Sequence, residues 1–250
     1  MSAGQATQTP QAGFRFLLLG RSVPALLYAL LAYGQARHAL ELIDRLPEHA
    51  AIPRVVVDLA PVLLYMAFCA IPVGLYLSRP VPQATTKALA PRLAALAGTT
   101  ILLAVGLAGG GPRLIVVPGT LRAACAVIEL LAFVLAIWGL LHLRRSFSII
   151  PAAHRLVTDG PYRLVRHPIY AGEILAAAAV IAADPHLGPT LALAAFVPLQ
   201  LLRARFEEAL LADALPGYAA YAHRAPGLVP RIGRPGTSPL SRRVRVRVDG

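Results

Sequence analysis

Long apolar runs alternate with shorter polar ones along this chain, and several of the apolar runs have the length of a bilayer helix. Phe14 to Ala36 is the first, interrupted by Arg21 and Pro24. It is long enough to span, so it reads as a retained helix and not as a signal peptide. Val55 to Leu77 is the second. Pro61 and Pro72 should bend it, which membrane helices tolerate when neighbours satisfy the freed carbonyls. Leu93 to Leu107 makes most of a third span, and Gly109-Gly110-Gly111-Pro112 terminates it. Gly119 to Leu143 is the fourth, ending at Arg144-Arg145.

Two further runs, Ile169 to Ala183 and Leu187 to Leu202, are each about 15 residues, short of the roughly 20 that cross a hydrocarbon core. Asp184-Pro185-His186 separates them, so they predict a helical hairpin. No breaker stands between Arg203 and Pro216, so its second arm should continue beyond the membrane. His38 to Arg54 mixes Glu41, Asp44, Arg45, Glu48 and Arg54, whose charges largely cancel, and predicts a loop with a helical edge. The pattern as a whole predicts an all-α polytopic bundle of about five or six transmembrane helices. Its organisation reads as a polar N-terminal tail over 1–13, transmembrane helices over 14–143, a region of chemistry over 144–230 and a basic tail over 231–250.

Composition strengthens the membrane reading. Hydrophobic residues make up 57% and charged residues 14% of the chain, with a mean hydropathy of +0.63, which is not the balance of a soluble globule. In a polar protein the net charge of +12 would suggest nucleic acid. Here it predicts membrane lipids as partners and no nucleic acid, because the arginines sit in loops beside spans, where anionic head groups attract them. Arg79, Lys87 and Arg92 follow the second span, and Arg144, Arg145, Arg155, Arg163 and Arg166 follow the fourth. That asymmetry predicts a cytoplasmic face for these loops and both termini, in an inner or plasma membrane. Cys69 and Cys125 lie in apolar runs without metal-ligand spacing and predict core positions, with no metal site. Glu129 would stand near mid-membrane, where an ionisable group needs a partner or a water path.

The longest polar segment lies between two of these spans, from His154 to Glu173. Asp159-Gly160-Pro161 predicts a turn. His167 precedes a proline and is biased away from helix, while Pro168 suits the first helical turn. The histidine is thereby held at a helix N-terminus, where free N–H groups favour an anion. Downstream, Arg203 and Glu207 are four apart and share a helix face; as a surface pair they would be worth well under about 1 kcal/mol. The hairpin brings them to the same membrane face as the earlier segment. The two stretches together offer His167 and backbone N–H groups for a carboxylate, Tyr162 and Tyr170 for rings or hydroxyls, and Glu207 and Glu208 as acceptors. S-adenosylmethionine carries a carboxylate, a ribose and a cationic centre that suit this set.

The run Gly160-Pro161-Tyr162-Arg163-Leu164-Val165-Arg166-His167-Pro168-Ile169-Tyr170-Ala171-Gly172, followed by an apolar hairpin and then Arg203 with Glu207-Glu208, resembles the isoprenylcysteine carboxyl methyltransferases and related phospholipid methyltransferases. Tyr218, Tyr221, Arg224 and Pro226 are similar to the family's Tyr-x-x-Tyr ending, and the resemblance covers about Arg144 to Pro230. It implies an integral membrane enzyme that binds S-adenosyl-L-methionine through His154, Arg155, Leu156, Val157, Tyr162, His167, Pro168, Ile169, Tyr170 and Glu207. It also implies that Arg203 meets a lipophilic or lipid-modified acceptor, orienting a carboxylate that is methylated without a base. An amine or thiol acceptor would need a proton taken up, with Glu208, Glu173 and His167 as candidates. Leu215-Pro216-Gly217 departs from the family, which usually has Phe-Gly and acidic residues there. The rival readings are a sterol-reductase-like enzyme using NADPH and a non-catalytic membrane protein of the same fold.

Overall fold

A computed structural model describes residues 16–47, 52–78, 84–85, 88–107, 110–149, 152–153 and 155–230. The polar tail over 1–13, the basic tail over 231–250, and Arg79, Lys87 and His154 lie outside the described residues. A π-helical turn, Phe16–Ser22, leads into α1, Val23–Asp44. The helices that follow are α2 (Ile52–Ser78), α3 (Leu89–Leu107), α4 (Gly119–Leu143), α5 (Pro168–Ala183), α6 (Leu187–Ala214) and the short α7 (Tyr218–Arg224). Two-residue strands β1 (Ala84–Thr85) and β2 (Ala152–Ala153) pair antiparallel and are a minor feature of an all-α bundle.

Among the described residues three helices are long and apolar enough to cross a membrane, Val55–Ser78, Gly119–Leu143 and Leu187–Ala214, and α1, which holds most of the first expected span, is not one of them. Leu89–Val105 and Pro168–Ala183 are shorter apolar helices. The hairpin forms as expected, and its second arm runs on to Ala214 without a break. The expected loop from His38 is corrected in part. Helix α1 continues to Asp44 because Ala, Leu and Glu there are good helix formers, and Pro47 comes too late to stop it.

Outward stripes such as Leu121, Leu131, Val134, Trp138 and Leu141 of α4 are exposed, as lipid-facing positions should be. Inside, Tyr28, Phe68, Tyr76, Phe133 and Phe147 build an aromatic core among α1, α2, α4 and the segment after α4, with Tyr65 and Phe133 stacked at 5.1 Å between centroids. Cys69 and Cys125 are buried free thiols. The packing that places the polar segment is that of α4 on α5. A Cβ on Gly172 would stand 2.7 Å from the Ala132 carbonyl oxygen and 2.8 Å from the Ala136 Cβ, so only glycine permits this approach. Such small-residue contacts drive helix association in lipid, where apolar burial alone does not. At the other end of the hairpin the glycine run does more than end α3. The backbone N–H groups of Leu114 and Leu187 donate to the Pro185 and Pro112 carbonyls at 2.8 and 3.0 Å, and Arg113 pairs with Asp184 at 2.8 Å.

Candidate active site

The site begins with the predicted turn. Asp159 is extended, Gly160 takes φ +57°, and Gly160–Arg163 form a single 3-10 turn. A side chain at Gly160 would put its Cβ 2.4 Å from the His142 ring, so close approach and backbone both demand glycine. The turn buries Pro161 and Tyr162. Past it, the backbone N–H groups of Arg166 and His167 donate to the Pro226 and Gly227 carbonyls at 2.8 and 3.1 Å. The segment is thus strapped to the chain that follows α7. His167 caps α5 with non-helical dihedrals, φ −125° and ψ 62°, and Pro168 is the first helical residue, as its fixed φ favours.

From these positions the side chains converge on α6. The His167 ring is buried and lies 2.8 Å from Glu208 Oε1 through Nε2. Its Nδ1 is 3.9 Å from Glu207 Oε2. Arg166 donates from Nε to the same Glu208 oxygen at 2.8 Å, and from Nη1 to the Ala222 and Ala225 carbonyls at 2.9 and 2.7 Å. Tyr170 stacks on His167 with 5.5 Å between centroids and 12° between planes. Its hydroxyl donates to Glu207 Oε2 at 3.0 Å. Nearby, Tyr221 donates to the Tyr162 carbonyl at 2.9 Å. Burial pushes the Tyr221 phenol up to about 12, and burial followed by the Glu207 charge raises that of Tyr162, so both remain neutral donors.

Arg203 and Glu207 share a helix but do not pair with one another as a surface salt bridge would. Arg203 turns into the bundle and is 5% exposed, with its guanidinium 4.9 Å from the Tyr170 ring centroid. Nη1 donates to Gln200 Oε1 at 2.6 Å, and Gln200 Nε2 donates to Glu173 Oε2. The apolar packing of α3 on α6 turns this face inward, whereas Glu207, one turn on, reaches back to α5. The shared helix face therefore divides between two environments.

Arg155, Leu156, Val157, Tyr162 and Glu207 line one cleft, with Leu143, Ser146 and Leu211 completing its wall. These five residues are all among those the resemblance implies for the cofactor. Tyr170 reaches the cleft through its bond to Glu207, and His167 lies behind Tyr170. Pro168 and Ile169 instead pack on α4, where a Cβ at Gly139 would meet them at 3.1 and 3.0 Å. Glu208, a predicted proton acceptor, is already engaged by Arg166 and His167. Sequence reasoning missed Gln200, although it and Thr190 are the only side-chain hydrogen-bonding residues in the run Leu187 to Leu202. It also missed Arg166, which reads as one more loop arginine.

Residues 125–213, from the first turns of α4 nearly to the end of α6, match the isoprenylcysteine carboxyl methyltransferase (ICMT) family. This region of the chain is ICMT-like. The ICMT-like region holds every side chain of the cluster from Arg166 to Glu208, while α1 to α3 lie outside it. Two of the three long apolar helices found among the described residues, Gly119–Leu143 and Leu187–Ala214, fall largely within the matched region. The chain is also similar to the cobalt-zinc-cadmium resistance protein CzcN of Cupriavidus metallidurans, 41% identical over 78 residues. The match covers 31% of this chain and 36% of that relative, so the chain spans about a third of the relative's length.

Proposed function

We propose that the protein is an S-adenosyl-L-methionine-dependent methyltransferase of the membrane that O-methylates a carboxylate on a lipophilic acceptor. The observation that carries this is the cleft shared by Arg155, Leu156, Val157, Tyr162 and Glu207, with Tyr170 linking Glu207 to the buried Arg203. Its donor set fits the cofactor. Leu143, Leu156, Val157 and Leu211 supply apolar walls for a base, Glu207 an acceptor for hydroxyls, and Arg155 a cation for a carboxylate.

When bound, the cofactor supplies an activated methyl group on a cationic sulfur. The chain's task is then to orient the acceptor and exclude water. Arg203, buried behind Tyr170, is the group that would hold an acceptor carboxylate, which needs no base because it is already ionised. The engagement of Glu208 by Arg166 and His167 favours this over amine chemistry, since a carboxylate so held is a poor proton acceptor. His167 and Arg166 position Glu208 and, through Tyr170, Glu207. Arg155 lines the cleft, and Arg144, Arg163 and Arg166 lie in the same segment between α4 and α5, which favours a cytoplasmic face for it.

Calorimetry on detergent-purified protein with S-adenosylmethionine and, separately, NADPH tests the reading. Saturable binding of the first, removed by Glu207→Ala, is expected. Binding of NADPH alone would overturn it in favour of a reductase, and binding of neither would leave a non-catalytic membrane protein.

A further inference from the structure

Arg203 is a buried cation that its surroundings do not neutralise directly. A guanidinium carries five N–H donors, and of these Nη1 is taken by Gln200, while Nε is buried with no hydrogen-bond partner among the described residues. Glu173 on α5 is the carboxylate best placed to quench the charge, yet Gln200 stands between the two. Gln200 is 0% exposed. Its amide orientation follows from chemistry: the guanidinium only donates, so the amide oxygen must face Arg203, which leaves the amide nitrogen to donate to Glu173. Helix α3 leaves room for the assembly, because a Cβ on Gly98 would lie 2.9 Å from Arg203 Cδ and 3.2 Å from Gln200 Oε1.

We propose that Glu173 and Gln200 are positioning residues that hold Arg203 in place while keeping the Glu173 carboxylate one amide away, so that its free Nε edge is reserved for an acceptor carboxylate. This rests on the reading above that Arg203 meets the acceptor. A direct ion pair would anchor Arg203 equally well but would fill the donors and cancel the charge that an anionic ligand needs. Gln200 fixes one end of the fork and spares the rest. The location suits the role: the Tyr170 ring packs on the guanidinium and its hydroxyl reaches Glu207, so one aromatic ring separates this donor edge from the cleft.

The test exchanges the two side chains. E173Q/Q200E keeps the same atoms and net charge but seats the carboxylate directly on Arg203. Binding of tetradecanoate and of tetradecanol to the full-length protein in detergent is measured by calorimetry, with S-adenosylmethionine affinity and melting temperature followed in parallel. Wild type should prefer the carboxylate by about tenfold, the worth of one charge-assisted hydrogen bond. The exchanged protein should prefer it by about twofold or less, with cofactor affinity and melting temperature unchanged. Glu173→Gln alone, which keeps an acceptor oxygen for the Gln200 amide, should retain the full preference and covers the case in which the exchange fails to fold. A preference that survives the exchange, one lost in Glu173→Gln, or none in wild type would overturn the proposal. A wild type that binds no S-adenosylmethionine but shows the preference, abolished by the exchange, would overturn the methyltransferase reading and leave this role standing.

Discussion

The Tyr170 hydroxyl donates to Glu207 Oε2 at 3.0 Å, joining the first turn of α5 to the C-terminal half of α6. The same ring packs on His167 at one side of the site and against the Arg203 guanidinium deeper in the bundle. One side chain therefore links the carboxylate at the cleft to the buried cation. Tyr170→Phe keeps the ring and frees Glu207, so cofactor affinity should fall about tenfold, the lower end of what a single hydrogen bond to a charged group contributes. Glu207→Ala should lower it by more than about a hundredfold, because the acceptor itself is gone. Calorimetric titration of both variants gives the comparison.

Arg166 ties three pieces of chain together through Glu208 and the Ala222 and Ala225 carbonyls. Arg166→Ala should destabilise the fold by about 2 kcal/mol or more, since it strands a carboxylate and two carbonyls that are partly buried. Arg166→Lys should recover little, because one ammonium cannot reproduce a planar fork. Thermal unfolding in detergent, with limited proteolysis after α7 as a local readout, measures both effects.

Gly172 allows α4 and α5 to touch. Gly172→Ala should cost about 1–3 kcal/mol through overpacking against the Ala132 carbonyl, a backbone atom that cannot move aside cheaply. Because His167 and Tyr170 flank this contact, cofactor affinity should fall together with the melting temperature.

The tyrosines behind the strap predict sensitivity to alkali. The folded-state value of Tyr221 is raised to about 12, above the roughly 10 of an unfolded phenol. Its neutral form is favoured by folding, so its contribution is fully present below about pH 10 and is lost as pH rises toward 12. The melting temperature should fall over that window. In Tyr221→Phe, which starts from a lower value because the bond to the Tyr162 carbonyl is missing, the fall should be shallower. Melting curves at stepped pH compare the two.

The fold was legible wherever one residue decided local geometry. Pro168 announced the start of α5, Gly160 its turn, and the absence of a breaker after Leu202 the continuation of α6. The loop expected from His38 failed where charge was taken as a sign of irregular chain, although those same residues are good helix formers up to Asp44. At the site, the motif residues were legible as residue types, but their partners were not. Spacing placed Arg203 and Glu207 on one face; it could not say that the packing of α3 would bury the first while α5 drew the second outward.

By itself, the sequence determined the solvent, the class of fold and the segments that carry chemistry, because hydropathy, proline and glycine act through the few residues around them. Only tertiary structure decided which charges are quenched and which are spared. Arg166 and Glu208 neutralise one another in a strap, whereas Gln200 separates Arg203 from Glu173 inside the bundle. That difference depends on ångström-scale contacts between helices distant in the chain. In a medium with no water to complete a hydrogen bond, those contacts decide what each buried charge can still bind.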